Sequence, residues 1–593
     1  MKIFSSLLLG LMLIFGANAQ DVTNLNVAGF FSEIGVIDIE NDGDLDFILV
    51  GVGADIEPHA PVFINNGDGT FVVAADTAFS SAGHGSIDFY DYNSDGMLDI
   101  IKNGPIEFFT NNGDGTFTKD ESIPTSQDGA DEIICVGWSD FDNNALIDFY
   151  IFTAQEDNDM DGTSAIYFNN GDGTFEESAF TSSHWTEPDA TPVDFDNDGD
   201  IDLFMVAWDW NSGDALPYSK MLVNDNGTFT ETDLGIIQMG FGSSSWGDYD
   251  YDGDLDLLYN GAEEFGTWAG SKQCLYNNSE GVFNLASTYP LLQFDDGDGN
   301  KFADWNNDGL FDLVVMGLEW GVAGGERVIQ IWQNIGGTRF SKWQNSDNIP
   351  GINNGSIEVA DIDGDHDLDI VASGFNQIEY TDNVTFTVMN PATTANTVPE
   401  APVDLTSSVN ESGDVAFNWE AGSDTESNIE SLSYNLYLKD VTNTRWLIHP
   451  KSDLTNGKRL VVEQGNVFLN REWIIKDLPD GDYEWSVQTI DASYAGSAFA
   501  ITETFTLPSN VSIGSSKAAV QPAYPNPVTD GRIFIPPTAH MLTSVSLTTI
   551  AGKEVKRFEN VSGLLDVSNI TSGMYLLKMD TNEGGSVQKI VIQ

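Results

Sequence analysis

The sequence predicts an all-β protein: a seven-bladed β-propeller with metal-binding loops, followed by two smaller β-sandwiches. Three observations support this. One acidic nine-residue loop occurs seven times, and the first aspartates of successive copies lie 49 to 57 residues apart. Apolar and aromatic stretches of strand length flank every copy, and no amphipathic helical pattern interrupts them. A single unit repeated at this period is typical of propeller blades.

The repeated loop carries oxygen-bearing side chains at positions 1, 3, 5 and 9. A backbone carbonyl at position 7 would add a fifth oxygen. A hard cation with six or more oxygen ligands fits this pattern, so we expect calcium, up to seven ions in all. The predicted ligand positions, loop by loop, are Asp38, Glu40, Asp42, Asp44 and Asp46; Asp91, Asn93, Asp95, Met97 and Asp99; Asp140, Asp142, Asn144, Leu146 and Asp148; Asp194, Asp196, Asp198, Asp200 and Asp202; Asp248, Asp250, Asp252, Asp254 and Asp256; Asp304, Asn306, Asp308, Leu310 and Asp312; and Asp361, Asp363, Asp365, Asp367 and Asp369.

Glycine at position 6 lets the backbone turn around the ion, and five of the seven loops have it. Ala145 and His366 replace it in the third and seventh loops. We expect these two sites to be weaker or empty. A further acidic segment, Asp157 to Gly162, has only the first half of the motif and is interpreted as a solvated loop.

Hairpin signals complete each unit. NNGDGTF begins at Asn65, Asn111 and Asn169, with variants at Asn224 and Asn277, and Asn-Gly and Asp-Gly favour tight β-turns. Each unit therefore has four short strands. The seventh unit stops at its third strand, Tyr380 to Asn390, and an exposed sheet edge is a liability. We predict that residues 22–31 supply the missing strand and close the ring.

With these loops and hairpins, residues 22 to about 392 resemble the FG-GAP or VCBS repeat family, the propeller type of integrin α-subunit heads and many bacterial secreted proteins. The resemblance implies that each loop joins the innermost strand of a blade to the next strand and holds calcium. It also implies that partners bind the opposite face.

That opposite face is rich in aromatic side chains, which could stack on sugar rings while nearby carboxylates accept hydroxyl hydrogen bonds. The candidates are Trp185, Trp208, Trp210, Trp268 and Trp320. The alternative is that these rings pack beneath long loops. Tryptophans close to a first-position aspartate, namely Trp138, Trp246 and Trp305, are expected in the core between blades.

The rest of the chain divides into further segments. Residues 1–19 have the pattern of a secretory signal peptide, with an apolar stretch and a small-residue cleavage site. The propeller takes 20–392, and a linker, 393–403, follows. Residues 404–507 resemble a fibronectin type III domain through Trp419 and the segment Leu478 to Tyr483, and are expected to act as a spacer. A second linker, 508–522, leads to 523–593.

This final segment contains AYPNPVTDG, IAGKEV and SGMYLLKM, which are similar to the type A sorting domain of type IX secretion. The resemblance implies export across a Gram-negative outer membrane, followed by release or surface attachment. The partner of this domain would be the type IX secretion machinery.

A net charge of −70 argues against nucleic acid and anionic lipid as partners. Cys135 and Cys274 occupy non-equivalent positions, so we expect buried thiols. No segment is long and apolar enough for a transmembrane helix. The favoured function is a secreted or surface-attached propeller that binds an extracellular partner, more a glycan than a protein. The alternatives are a polysaccharide lyase or hydrolase, for which His84 and His184 lie before units two and four, and an architectural surface protein.

Overall fold

The structure is a computed structural model. It describes residues 22–25, 27, 30–52, 58–74, 79, 86–103, 106–123, 132–154, 164–179, 185–210, 214–265, 271–286, 299–319, 326–337, 339–376, 383–392, 394–410, 413–507, 527–529, 531–535, 542–549, 553–558, 564–581 and 584–593. The chain has two compact units, residues 1–478 with 483–505, and residues 479–482 with 506–593. Among the described residues, no helix has the length and apolarity needed to cross a membrane.

The described residues between 22 and 390 form seven antiparallel sheets, and six of these follow chain order. Their strands are β2 (Phe30–Ile37), β3 (Asp46–Val52), β5 (Val62–Asn65) and β6 (Phe71–Val73), with β4 (Pro58–His59) beside β3; β7 (Ile87–Tyr90), β8 (Asp99–Lys102), β9 (Glu107–Asn111) and β10 (Phe117–Asp120); β11 (Glu132–Ser139), β12 (Asp148–Ala154), β13 (Ala165–Asn169) and β14 (Phe175–Ala179); β15 (Trp185–Val193), β16 (Asp202–Asp209), β17 (Leu216–Asp225) and β18 (Thr228–Thr232); β19 (Ser244–Gly247), β20 (Asp256–Gly261), β21 (Lys272–Ser279) and β22 (Val282–Leu285); and β23 (Asn300–Ala303), β24 (Asp312–Glu319), β25 (Glu326–Asn334) and β26 (Phe340–Lys342).

The seventh sheet joins the two ends of this region. It contains β27 (Asn353–Ala360), β28 (Asp369–Phe375) and β29 (Asn383–Val388), preceded by a 3₁₀ helix at Gln344–Asn348. Its fourth strand is β1 (Val22–Asn24), which pairs antiparallel with β29 through Val22 opposite Val388. The structure therefore confirms that the N-terminal segment completes this sheet, but the strand is shorter than the predicted 22–31: it spans Val22–Asn24, and Phe30 and Phe31 belong to β2.

The first strands of the seven sheets contact one another in a closed cycle, from β2 through β7, β11, β15, β19, β23 and β27 back to β2. Apolar side chains fill the spaces between neighbouring sheets. Trp138, Trp246 and Trp305 are 6 %, 4 % and 1 % exposed and belong to three such clusters, as predicted. This arrangement is a β-propeller. Cys135 and Cys274 are buried free thiols, also as predicted.

Residues 403–507 form two packed sheets. The first holds β30 (Val403–Val409), β31 (Val415–Glu420) and β34 (Glu472–Ile475); the second holds β32 (Ser433–Asp440), β33 (Arg445–Ile448), β35 (Gly481–Ile490) and β36 (Glu503–Leu507), and a short 3₁₀ helix spans Ile429–Ser431. The ring of Phe417 lies 4.7 Å from that of Trp485, so the sheets pack face to face. We call this part the second domain.

The second domain contacts the propeller at the end where the acidic loops lie. Its residue Val461 forms a β-bridge with Ile37, and the carbonyl of Leu460 accepts from the backbone N–H of Asp38 at 2.9 Å. At the sixth sheet, the N–H of Asp304 donates to the carbonyl of Ala492 at 3.1 Å. The second domain is therefore bound to the propeller by backbone hydrogen bonds, whereas the sequence predicted only a spacer.

The predicted linker 393–403 is also held in place. Asn396 donates from its backbone N–H to the carbonyl of His366 at 2.8 Å, and from its side chain to Asp491 of the second domain at 2.7 Å. The described residues of the linker thus connect the propeller and the second domain by hydrogen bonds as well as covalently.

The C-terminal unit is a small β-sandwich. Its strands are β37 (Arg532–Phe534), β38 (Leu542–Thr549), β39 (Glu554–Phe558), β40 (Leu564–Asp566), β41 (Gly573–Thr581) and β42 (Gly584–Ile592). The pair β37 and β40 forms one sheet, and β39, β38, β41 and β42 form the other, in that order. Val545, Leu577 and Ile590 lie in its core and are fully buried.

Candidate metal centres and the opposite face

Each acidic loop follows the first strand of its sheet and wraps around the carboxylate at position 1. In all seven loops, one oxygen of this aspartate accepts from the N–H of position 5 and the other from the N–H of position 6. The fifth-position distances are 3.0 to 3.2 Å and the sixth-position distances are 2.7 to 3.2 Å. The first carboxylate therefore fixes the loop.

The sixth residue has a positive φ in all seven loops, including the two without glycine. Gly199 has φ 87°, while Ala145 has φ 65° and His366 has φ 69°. The N–H of Ala145 still donates to Asp140 at 2.8 Å. The backbone of the third and seventh loops thus keeps the common turn, with side chains held in a left-handed conformation that usually favours glycine.

Three carboxylates converge in four of the loops. The groups are Asp140, Asp142 and Asp148; Asp194, Asp196 and Asp202; Asp248, Asp250 and Asp252; and Asp361, Asp363 and Asp365, with ligand atoms within 4.8 Å of one another. The third and seventh loops are among them. The second and sixth loops carry Asn93 and Asn306 at position 3, so an amide oxygen takes the place of one carboxylate there.

Several buried oxygens of the loops have no hydrogen-bond partner within the described part of the chain. They belong to positions 3, 4, 7 and 9 and are found in Glu40, Asp99, Asp142, Asn143, Asn197, Asp202, Asp250, Tyr251, Asn306, Asp312 and Asp367. A buried oxygen without a donor is costly unless a cation satisfies it. Together with the converging carboxylates, these orphaned atoms show that the donor set fits a metal ion.

The electrostatics agree with this fit. Burial raises the pKa of the position 9 carboxyls, to about 8 for Asp46, Asp99 and Asp369 and to about 9 for Asp202, against the opposing effect of a backbone N–H donor. Neighbouring carboxylates raise these pKa values further. Charges held this close together favour a bound cation, because it would offset both burial and repulsion.

An asparagine at or just after the end of each third strand forms hydrogen bonds to the last two residues of the acidic loop. Sequence analysis missed this role. Its backbone N–H donates to Oδ1 of the position 9 aspartate at 2.6 to 2.9 Å. Its side chain donates to the carbonyl of position 8. The seven residues are Asn65, Asn111, Asn169, Asn224, Asn278, Asn334 and Asn390.

Six of these asparagines also reach the preceding loop. The side-chain amide donates to the carbonyl of position 2 there, and Asn65 of the first sheet bonds to Ile362 of the seventh at 2.7 Å. Each such residue therefore ties two loops together. In four sheets the signal in the sequence is the first asparagine of the NNGDGTF-like turn, and in the fifth it is the second, Asn278; sequence analysis interprets these residues only as turn formers.

Position 4 provides a second link between loops. Asn41, Asn143, Asn197 and Asn307 have positive φ and donate to the carbonyl of position 6 in the next loop at 2.9 to 3.2 Å. Where serine replaces asparagine, the second domain takes part: Ser94 Oγ donates to the carbonyl of Trp446 at 3.0 Å. Four asparagines at one position of seven loops were the sequence signal here.

The second domain also contacts the predicted ligands themselves. Asn470 Nδ2 donates to Asp194 Oδ2 at 2.7 Å, and Lys476 Nζ lies 3.5 Å from Asp200 Oδ1. His449 Nε2 lies 3.7 Å from Asp91 Oδ2. The loop end of the propeller is thus covered by protein over at least three of its loops.

The tryptophans predicted to bind a ligand on the opposite face differ in their exposure. Trp185 and Trp208 are 2 % and 1 % exposed, so the prediction that they face a ligand is wrong. Trp208 packs beneath Phe265, with ring centroids 5.3 Å apart, and Trp185 packs against Phe152 and Tyr218. Trp268 and Trp320, like His84, His184 and the segment from Asp157 to Gly162, lie outside the described residues.

Trp210 is the one described member of the predicted set that remains exposed, at 37 %. It meets Phe265, which is 46 % exposed, edge to face with ring centroids 5.2 Å apart. Both follow the second strands of their sheets, β16 and β20, at the ends away from the acidic loops. This aromatic pair is an exposed apolar feature of the opposite face.

Comparisons with known proteins give two family matches. An FG-GAP-like repeat matches residues 38–102, 140–205 and 194–259. A secretion system C-terminal sorting domain matches residues 522–593. No curated protein matches the chain. A solved structure described as "Structure of Dos1 propeller" is 11 % identical, covers 59 % of this chain and 76 % of its own, and has a TM-score of 0.33.

The matched repeats coincide with the loops and sheets described above, and the sorting domain coincides with the C-terminal sandwich. The chain therefore carries FG-GAP-like repeats within a β-propeller and, at residues 522–593, a secretion system C-terminal sorting domain of the type IX kind.

Proposed function

We propose that this protein is a secreted or surface-attached, calcium-binding, seven-bladed propeller that binds an extracellular glycan on the face away from its loops. The sorting domain supports delivery to the cell surface or beyond. The residues 1–19 would serve as a signal peptide, and residues 404–507 would be a fibronectin type III-like module.

Calcium is supported by the chemistry of the loops. Their donors are carboxylate and amide oxygens with no thiol or imidazole among the predicted side-chain ligands, which suits a hard cation with many oxygen ligands. The observation that carries this part is the set of buried loop oxygens without partners. Positions 1, 3, 5 and 9 would hold the ion by their side chains and position 7 by its carbonyl.

Metal analysis tests the calcium assignment. Purified full-length chain is dialysed against calcium and then against metal-free buffer, and bound metal is counted by mass spectrometry. We expect close to seven calcium ions per chain, and one fewer in Asp202→Asn. A protein that retains no calcium, or retains zinc in preference, would contradict the assignment.

Glycan binding is supported by the aromatic pair. Trp210 and Phe265 expose apolar ring surface next to Asp209 and Glu264, a combination that suits the apolar C–H face and the hydroxyls of a sugar. Glycan-array screening followed by calorimetry on the strongest hit tests this. Trp210→Ala and Phe265→Ala should each weaken binding at least tenfold.

Val282→Ala serves as a matched control, because Val282 is an exposed apolar residue, 61 % accessible, on β22. Unchanged affinity in both aromatic variants would reject this surface as the site. Release of products from polysaccharides would favour the enzymatic alternative, and a protein without glycan binding or turnover would favour the architectural one.

A further inference from the structure

The seven candidate metal loops are joined to one another by two kinds of hydrogen bond. In the first kind, a side chain at position 4 donates to the position 6 carbonyl of the next loop. In the second kind, the asparagine of a third strand donates to the position 2 carbonyl of the preceding loop. Both kinds connect the backbone of one site directly to its neighbour.

These bonds are not spread evenly around the ring. Loops one and two share both kinds, as do loops three and four, loops four and five, and loops six and seven. Loops five and six, and loops seven and one, share only the bond from the third strand. Between loops two and three, the described residues form neither bond.

The interruption between loops two and three is visible in two residues. Ser94 stands at position 4 of the second loop, and its hydroxyl donates to the carbonyl of Trp446 in the second domain at 3.0 Å. Asn169, the third-strand asparagine of the third sheet, donates to the carbonyl of Ile147 in its own loop but, within the described part of the chain, not to that of Tyr92. It is half-buried, whereas the six asparagines that reach a preceding loop are at most 9 % exposed. The ring of bonded loops is therefore open at this junction.

Where the third-strand bond is present, one nitrogen atom serves two loops. In the second sheet, Nδ2 of Asn111 donates to the carbonyl of Leu98 at position 8 of its own loop, and to that of Ile39 at position 2 of the first loop. The backbone N–H of Asn111 also donates to Asp99, the position 9 carboxylate, at 2.9 Å. Ordering of Asp99 around an ion would therefore fix Asn111, and with it the backbone between the first two ligands of the preceding loop.

The position 4 bond couples the turns of neighbouring loops. Asn41 of the first loop has φ 53° and donates to the carbonyl of Gly96, which has φ 92°, at 3.2 Å. Positions 4 and 6 lie on either side of position 5, whose side chain is a predicted ligand. An ion that orders one turn would therefore hold the bonded part of the next turn. The shared residues lose their conformational freedom when the first ion binds, so the second ion meets a loop that is already partly ordered.

We propose that the loops bind calcium cooperatively as one open series, which runs from loop three through loops four, five, six, seven and one to loop two. The inference rests on the proposed calcium sites and adds how they are coupled. Filling one site raises the affinity of each site bonded to it, by about fivefold or more, the range typical of coupled sites. Loops two and three are adjacent in the ring but lie at opposite ends of the series, so they bind independently.

Hydrogen exchange measured by mass spectrometry on the full chain, at a series of buffered free calcium concentrations, tests the proposal. Peptides from each loop report the calcium concentration at which that loop becomes half protected. Asp99→Asn disables the second site and keeps the shape of the side chain. The half-protection concentration of loop one should then rise at least fivefold, whereas that of loop three should stay unchanged. The two neighbours of one disabled site thus serve as controls for each other.

Asn41→Ser tests the bond itself without changing a predicted ligand. It places at position 4 of the first loop the residue type that the second loop carries as Ser94. The half-protection concentrations of loops one and two should each rise about threefold, because a single hydrogen bond between them is lost. Those of loops three and four should not change. Asn284→Ser is the matched control, since Asn284 is exposed on β22, outside the loops.

Melting curves in saturating calcium identify any variant that fails to fold, and Asn41→Ser decides the question if Asp99→Asn does not fold. Unchanged half-protection concentrations in loop one for both variants would overturn the coupling and leave the calcium sites in place. Equal shifts in loops one and three after Asp99→Asn would overturn the interruption between loops two and three. Absence of any calcium-dependent protection in the native chain would instead refute the calcium sites themselves.

Discussion

Removal of calcium should destabilise the propeller severely. A ligand bound only to the folded state stabilises it by about 2.7 kcal/mol per site at a hundredfold excess over its dissociation constant. Even if only the four loops with converging carboxylates bind, the total is roughly 11 kcal/mol. This approaches the whole stability of an ordinary domain, about 5 to 15 kcal/mol.

The second domain should respond to the same perturbation. Asn470 donates to Asp194, and Lys476 lies beside Asp200, so loops that open without calcium would lose these contacts. We expect excess chelator to lower the melting temperature of the full chain by about 10 °C or more. Backbone amides around 446–476 should then exchange hydrogen faster at temperatures below the transition.

Scanning calorimetry and hydrogen exchange, with and without chelator, provide the assay. Asp202→Asn should lose part of the calcium-dependent stabilisation, whereas Asp347→Asn, at a 69 % exposed ion pair outside the loops, should behave like the native chain. An identical melting curve in chelator and in calcium would refute the reasoning. If the propeller lost stability while hydrogen exchange in the second domain stayed unchanged, the inferred link between the two domains would be refuted.

Three further predictions follow from the loops and their supports. Asn278→Ala should lower the free energy of unfolding by about 3 kcal/mol in urea titrations, because it removes three side-chain hydrogen bonds, two to the loops and one to the hairpin turn, while the exposed Asn284→Ala should change it little. Ala145→Gly should raise the same free energy by roughly 0.5 to 1 kcal/mol, since it relieves a left-handed alanine at φ 65°; a decrease would contradict the strain argument. Burial raises the pKa of Asp491 to about 7, so its contribution to stability is present below pH 3.8 and is lost as pH rises to about 7; the stability gain of Asp491→Asn should therefore grow across this range in melting curves, and a constant gain would count against it.

The sequence was sufficient for features that repeat in a local pattern. Alternating oxygen-bearing side chains predicted the acidic loops. The NNGDGTF segments predicted the hairpin turns that begin where β5 and β9 end, at Asn65 and Asn111. The missing fourth strand of the last unit predicted that the N-terminal segment pairs there, because a sheet edge needs a partner, and Val22 lies opposite Val388. The loops and hairpins can be inferred from neighbouring residues alone, and the ring closure from one rule about sheet edges.

Contacts between distant segments were harder to predict. Trp208 was expected on the surface because it follows a strand at the aromatic-rich end, but Phe265 from the next sheet covers it. The asparagines that join loops were visible as turn formers, while their second bond, as from Asn65 to Ile362, spans 297 residues. Hydrophobic and turn patterns do not encode such pairings, which depend on the closed ring.

The docking of the second domain limits where a large partner can bind. Backbone hydrogen bonds from Asp38 and Asp304 to this domain, and the bridge between Ile37 and Val461, occupy the axial part of the loop end. A partner that approached there would have to displace contacts shared with the metal loops. The opposite end keeps Trp210 and Phe265 exposed, so the proposed metal sites and the proposed partner site would lie on different ends of the ring. Calcium would therefore act on partner binding through the stability of the propeller, and its removal should abolish glycan binding only under conditions in which the propeller also loses its fold.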